Sequence, residues 1–443
     1  MRSAQILAAP CTWLYPATNL PYPYYSVTSK TRIRAALPTL LCLLSGCSQP
    51  FEGGNLPAVP MPTENPTTEA SRILGKILFW DEQLSSDDTI ACGTCHIPAT
   101  GGADPRVGKH PGTNAGSIDD VRGSPGIVSL GEDGLPRKHP LFGFERQVTP
   151  RVSPSNFGSL WAPLLFWDGR AGGRLVDPES GQVAIGTGGA LENQALEALS
   201  SEAEMAKAGR TWRELATKLE TIRPLALATD LPADVAAAID GDKDYPALFE
   251  AAFGDPGITA VRIAFALAGY QRTLVADMAP WDSYQAGDET AMSPAAIAGW
   301  QDFQALHCAS CHVPPLFTNN EFFHIGIRRA EFDLGRKTVT GEDGDAGDFK
   351  VPSLRNAGLR QRFMHTGEFR SLAATIQAYF DSIPSPERDK IPGFGDYKFN
   401  FTGANRANLA AFIEEGLTDP RVRDEAFPFD RPKLASERAD GLQ

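Results

Sequence analysis

The sequence predicts a mostly α-helical chain of two domains with long irregular loops. Apolar residues recur at the helical period over several stretches, Gly- and Pro-dense segments separate them, and Cys-x-x-Cys-His occurs twice, starting at Cys92 and Cys308, 216 residues apart. That separation is too large for two neighbouring motifs of a single small domain. The chain has 443 residues, enough for two cores of ordinary size, and its 42% hydrophobic and 21% charged content is that of a globular protein. A formal charge of −13 excludes nucleic acid, because nothing here neutralises a phosphate backbone. It is compatible with a basic partner.

The chain begins with a stretch that reads as an export signal, residues 1–46. Lys30, Arg32 and Arg34 precede an apolar run too short to span a bilayer as a helix, and Leu44-Ser45-Gly46-Cys47 follows. A Cys directly after small residues resembles a bacterial lipobox, in which the thiol is lipidated; the bland alternative is an ordinary signal peptide. The Pro- and Tyr-rich residues before Lys30 are unlike a signal. Residues 47–66, rich in Pro, Gly and Asn, form a tether.

A helix is expected over 68–80, capped by Thr67 or Thr68, because Ile73, Leu74, Ile77, Leu78 and Trp80 recur near the helical period. Residues 101–149 are dense in Gly, Pro and Asp and show no sustained period, so they are expected to be irregular. Helical patterns dominate 191–225 and 232–278, including a buried helix started by Thr259. A helix over 293–306 starts on Ser293-Pro294, a cap followed by a first-turn proline, and leads into the second motif. Irregular chain follows over 314–358, with helices again at 372–380 and 404–415.

The chemistry lies in the two motifs. Two thiols and the adjacent histidine suit a covalently attached haem: Cys92 and Cys95, or Cys308 and Cys311, form thioethers to its vinyl groups, and His96 or His312 ligates the iron. The rival reading is two pairs of zinc thiolates with incidental histidines. Of seven cysteines, cleavage before Cys47 removes two and lipidates a third; the other four are those of the motifs. The fold class expected is therefore two c-type cytochrome domains, 67–276 and 277–418, each around one haem, with a C-terminal tail from 419 to 443.

Further residues carry a family likeness. Leu165-Phe166-Trp167-Asp168-Gly169-Arg170-Ala171, Ala252-Phe253-Gly254-Asp255 followed by Ile258-Thr259-Ala260, Lys350-Val351-Pro352-Ser353-Leu354-Arg355-Asn356 and Met364-His365-Thr366-Gly367 join the two haem motifs. Together they resemble the bacterial di-haem cytochrome c peroxidase / MauG family from about Leu74 to Leu417. The resemblance implies an enzyme that reduces hydrogen peroxide at the N-terminal haem, with electrons entering through the C-terminal haem from a small cytochrome c or a cupredoxin. A MauG-type member instead oxidises a protein substrate. The rival from another class is a di-haem electron carrier without catalysis. A periplasmic location and a homodimer are expected by the same analogy.

The resemblance also assigns roles. Trp167 matches the tryptophan between the haems. Gln194 and Glu204 match the distal glutamine and the catalytic glutamate, with Glu192, Glu197 and Glu202 as solvated helix charges nearby. His110, 14 residues after His96, is the first candidate for a displaceable histidine on the peroxidatic iron; His139 is the second, and an exposed loop histidine is the alternative for each. Where other members place a methionine on the C-terminal iron, 14 residues after the His365 position, this chain has Tyr379, as MauG-type members do. Leu372, Ile376 and Tyr379 share one helical face, which points the phenol inward. The alternative is a core tyrosine with Met364, or nothing, on the iron. The family's calcium ion between the domains uses an asparagine of an Arg-Asn-Ala-Pro motif; here Val152 replaces it, and Arg360 and Arg362 stand where Thr and Pro are usual. Both changes disfavour a hard cation. Residues 122–147 look like an insertion, with no role assigned.

Overall fold

The structure is a computed structural model that describes residues 56–438 except 113–115, 117–118 and 382–400. The export signal, Cys47 and the tether up to residue 55 lie outside the described residues.

The first helix, Glu69–Trp80, starts where Thr68 caps it: the Thr68 hydroxyl accepts from the Ser71 N–H at 3.1 Å, and the Ser71 hydroxyl accepts from the Thr68 N–H at 2.9 Å. Its Leu74, Ile77, Leu78, Phe79 and Trp80 are 2% exposed or less. Each such side chain stabilises the fold by about 1.5–3 kcal/mol. This face packs on the helix Ala260–Gln271, which Thr259 caps. Gly75 lets the two helices touch, since a Cβ there would collide with the Ala266 carbonyl. Trp80 Nε1 donates to the Tyr270 hydroxyl at 3.2 Å across the same seam. Ala190–Ser200 covers the other side of Ala260–Gln271, and Trp212–Thr221, Ala233–Ala238 and Tyr245–Phe253 complete the N-terminal core.

A second core gathers Trp281, Phe303, Phe317, Phe363, Phe412 and Leu417. Its helices are Pro280–Gln285, Pro294–Ala305, Leu372–Phe380 and Gly403–Ala411. Ser293 caps the second of them through the Ala296 N–H at 3.2 Å, as the Ser-Pro start predicts. The buried pair Arg355–Asp282, 2.7 and 2.9 Å, fastens the segment after the second motif to this core.

The expected irregular stretches are partly paired. Gly108–His110 with Val121–Gly123, Pro125–Val128 with Arg146–Val148, and Phe322–Phe323 with Phe349–Lys350 are antiparallel ladders of two to four residues per strand. Runs this short, broken by Gly and Pro, carry no period that a sequence pattern registers. The segment after 419 returns to the N-terminal core: Phe429 and Leu434 join it, Lys76 Nζ bridges Asp234 and Asp430 at 3.0 Å each, and Glu82 accepts the Ala435 and Ser436 N–H groups at 2.8 and 3.2 Å.

Candidate active site

Each Cys-x-x-Cys-His motif lines a pocket. Cys92–Cys95 forms one helical turn beneath the end of the first helix, and His96 follows it. The His96 Nδ1 is hydrogen-bonded to the Gly102 carbonyl at 2.9 Å. His312 Nδ1 is bound in the same way by the Phe317 and Pro352 carbonyls, both at 3.1 Å. In both rings this leaves Nε2 as the nitrogen available to the pocket, the second-shell arrangement that orients an iron ligand. All four motif cysteines are free of disulfides. Two thiols and a pre-oriented imidazole in one pocket are the donor set a c-type haem requires, and both motifs fit it.

The pockets differ in size and in charge. The one at Cys308 and Cys311 is a cavity of about 250 Å³, whereas the one at Cys92 and Cys95 is about 40 Å³. The smaller pocket is lined by one acid, Glu204, and by Gln194 from the helix Ala190–Ser200. Burial pushes the Glu204 carboxyl up to about 7; Arg170 pulls it down and Glu197 pushes it further up, both more weakly. The segment that carries Glu204 is held on its outer side by residues of 122–147. The Glu204 carbonyl accepts the Ile127 N–H at 3.2 Å, and Gln147 Nε2 donates to the Glu202 carbonyl at 2.7 Å. Gly126 presses so close that a Cβ would collide with the Ala203 carbonyl.

The other acids near Glu204 have separate roles. Glu192, expected as a solvated charge, is fully buried in a bidentate pair with Arg272 at 2.8 and 3.0 Å and accepts from Asn65 at 2.7 Å. Its partners come from 80 and 127 residues away, which no local pattern reveals. Glu197 pairs with Arg170 at 2.8 Å near the surface, and Glu202 is exposed.

His110 is not brought to this pocket. It ends a short strand, half-buried, its Nδ1 accepts the Gly112 N–H at 3.1 Å, and its ring meets Phe142 edge-on at 5.6 Å. His139 stacks on the other part of the same contact, 5.0 Å from Phe142, and also lies away from the pocket lining.

Trp167 is 8% exposed and lines the larger cavity. Its Nε1 donates to the Val152 carbonyl at 2.8 Å, its own carbonyl accepts the Lys350 N–H at 2.8 Å, and its ring stands edge-on to His365 at 6.3 Å. A tight turn carries it, with Gly169 at φ +73° beside the Asp168–Arg151 ion pair of 2.6 Å. Leu372, Ile376 and Tyr379 line the cavity together from the helix Leu372–Phe380, so the inward face read from the sequence is the face observed. Met364 lines it as well. Burial holds the Tyr379 phenol well above its ordinary pKa, with the neighbouring Cys308 and Cys311 adding to the effect.

Two cavity residues had no catalytic or ligating role in the sequence reading. Lys350 and Arg360 face a lining that contains no carboxylate among the described residues. Burial alone pulls the Lys350 ammonium down to about 8 and the Arg360 guanidinium down to about 10. Lys350 lies in the Lys-Val-Pro-Ser-Leu-Arg-Asn motif, the one signal that pointed to it.

Comparison with known proteins agrees with this geometry. The family model described as di-haem cytochrome c peroxidase matches residues 69–290. The methylamine utilization protein MauG of Paracoccus denitrificans is 30% identical over 348 residues, 71% of this chain and 75% of that protein. The cytochrome-c peroxidase IdrP1 of Denitromonas iodatirespirans is 28% identical over 421 residues, 87% of this chain and 92% of its own length. Among solved structures, a MauG-like protein associated with microbial copper homeostasis superposes with a TM-score of 0.58 at 23% identity, covering 84% of this chain and 96% of that one, which shows the shared fold. The chain belongs to the di-haem cytochrome c peroxidase family, a family of oxidoreductases, and binds two c-type haems.

Proposed function

We propose that this protein reduces hydrogen peroxide in the Cys92–His96 pocket and that Glu204 is its acid–base residue. The observation that carries this reading is a half-buried carboxyl, poised near neutrality, that shares a pocket with His96 and Gln194. A haem bound there supplies the iron that accepts peroxide oxygen and the electrons that reduce it. Glu204 as carboxylate takes the proton from the near peroxide oxygen and returns it to the far one, which leaves as water. Its raised pKa suits both halves of that transfer at neutral pH. The Gln194 amide, with no charge to titrate, positions the peroxide. Lipophilic neighbours such as Ala195, Ala198 and Leu267 keep bulk water from competing for the carboxyl.

The larger cavity serves the electrons. Tyr379 supplies an anionic oxygen ligand there, because ferric iron favours the ionised phenol strongly enough to overcome burial. Trp167, between the Val152 carbonyl and His365, places a large π-system at the edge of that cavity on the side of the N-terminal domain. No histidine from 101–149 is assigned to the peroxidatic iron, since His110 and His139 both pack on Phe142. An open position of that kind, together with Tyr379, favours the MauG-type variant, in which both haems store oxidising equivalents drawn on by a protein substrate.

The proposed setting is periplasmic, with Cys47 as the lipid attachment; among the described residues no helix is long and apolar enough to cross a membrane. The test is Glu204→Gln. Peroxide consumption with a dye reductant should fall by about 10²–10⁴-fold while both haem spectra are retained. Undiminished consumption would remove Glu204 from the mechanism.

A further inference from the structure

The seam between the two haem pockets is where the family resemblance implies a calcium ion, and the residues there do not fit one. Val152 offers no side-chain oxygen. The backbone carbonyls along the seam already have donors from the chain itself: Val152 accepts Trp167 Nε1 at 2.8 Å, Ser153 accepts Arg360 Nη2 at 2.9 Å, and Arg362 accepts Arg360 Nε at 3.3 Å. Among the described residues, no group of three or more His, Cys, Asp and Glu side chains could hold a metal ion. Further along the seam, Arg122 and Arg370 stand close enough to Arg362 to depress its pKa beyond the effect of burial.

Arg360 is the centre of this arrangement. Its side chain lines the larger cavity. Its stem packs 3.2 Å from where a Cβ on Gly101 would stand, in the loop that carries the His96 hydrogen-bond partner Gly102. One side chain therefore touches the lining of one pocket and the support of the other.

We propose that the Arg360 guanidinium is a built-in cation that replaces the metal ion of this seam, tying the two haem pockets together through the Ser153 carbonyl and braced on its own loop by the Arg362 carbonyl. A hard divalent ion needs six or more oxygens free to turn toward it, and a guanidinium already hydrogen-bonded to two of them neither leaves room nor tolerates the added charge. Unlike an ion, the replacement cannot be removed by a chelator. Fixed positive charge beside a haem favours its reduced, less positive iron, so Arg360 also holds the haem potentials up.

The test uses the di-haem protein. Metal analysis after gel filtration should find no calcium, and the thermal midpoint should be the same in chelator and in millimolar calcium. Arg360→Met should lower the reduction potential of at least one haem, and Arg360→Lys should restore most of it. One equivalent of retained calcium, or a midpoint that rises when calcium is added, would overturn the proposal. So would potentials that Arg360→Met leaves unchanged, or an equal drop in the lysine variant. The calcium measurements on the unaltered protein decide the matter even where the methionine variant does not fold.

Discussion

The two haem pockets share a motif and an orienting hydrogen bond, yet their linings carry opposite charge. Among the described residues, the lining at Cys92 contains one carboxyl and no cation; that at Cys308 contains cations and no carboxyl. The same Cys-x-x-Cys-His framework can thus be set for proton transfer or for holding electrons, and the surrounding helices decide which. A carboxyl buried near neutrality moves a proton. The larger cavity brings a phenol and the cations Lys350, Arg355 and Arg360 to its lining, groups that act on the iron's charge state.

The largest expected effect concerns protons. Glu204 is raised to about 7 by burial, so it is protonated below that pH and acts as a base only above it. The rate of the peroxide reaction should rise as pH passes through about 7, and stopped-flow traces of Glu204→Gln should be slow and lose that rise. An identical pH profile in the variant would assign the titration elsewhere. Next comes the electron pocket: Tyr379→Phe should change the spectrum of one haem and raise its potential, because an anionic ligand is lost. A spectrum identical to that of the unaltered protein would place Tyr379 in the core rather than on the iron.

A smaller change is expected at the link between the pockets. Trp167→Phe leaves the Val152 carbonyl without its donor, which costs about 1–3 kcal/mol in chemical unfolding, and slows electron exchange between the haems. Exchange at the original rate would limit Trp167 to packing. The smallest effect is predicted for His110→Ala, which should leave both ferric haem spectra as they are, since the ring packs on Phe142. A shifted spectrum would show that His110 reaches an iron.

Local chemistry was readable in the sequence wherever it depended on near neighbours. The Thr68 cap, the Ser293-Pro294 start and the Leu372–Phe380 face all follow from spacing within one or two turns, and each appears in the structure. The inward position of Glu204 followed from the family likeness. Features made by distant residues were not readable. Glu192 looks solvated until Arg272 and Asn65 arrive, and the chain after 419 looks like a tail until Asp430 reaches Lys76. The insertion at 122–147 showed no period, and its contribution is made by backbone: the Ile127 N–H on the Glu204 carbonyl and the missing Cβ of Gly126. Arg360 read only as a misfit in a motif, because the Ser153 carbonyl it reaches lies 207 residues away.

Mixing the fully ferric protein with stoichiometric peroxide, and following haem absorption, tests whether the Glu204 pocket is open to peroxide without a histidine having to leave. A rapid spectral change in the ferric protein, with no prior reduction, is the expected result. A reaction that appears only after one electron has been added would contradict it and would mean that a histidine closes the pocket.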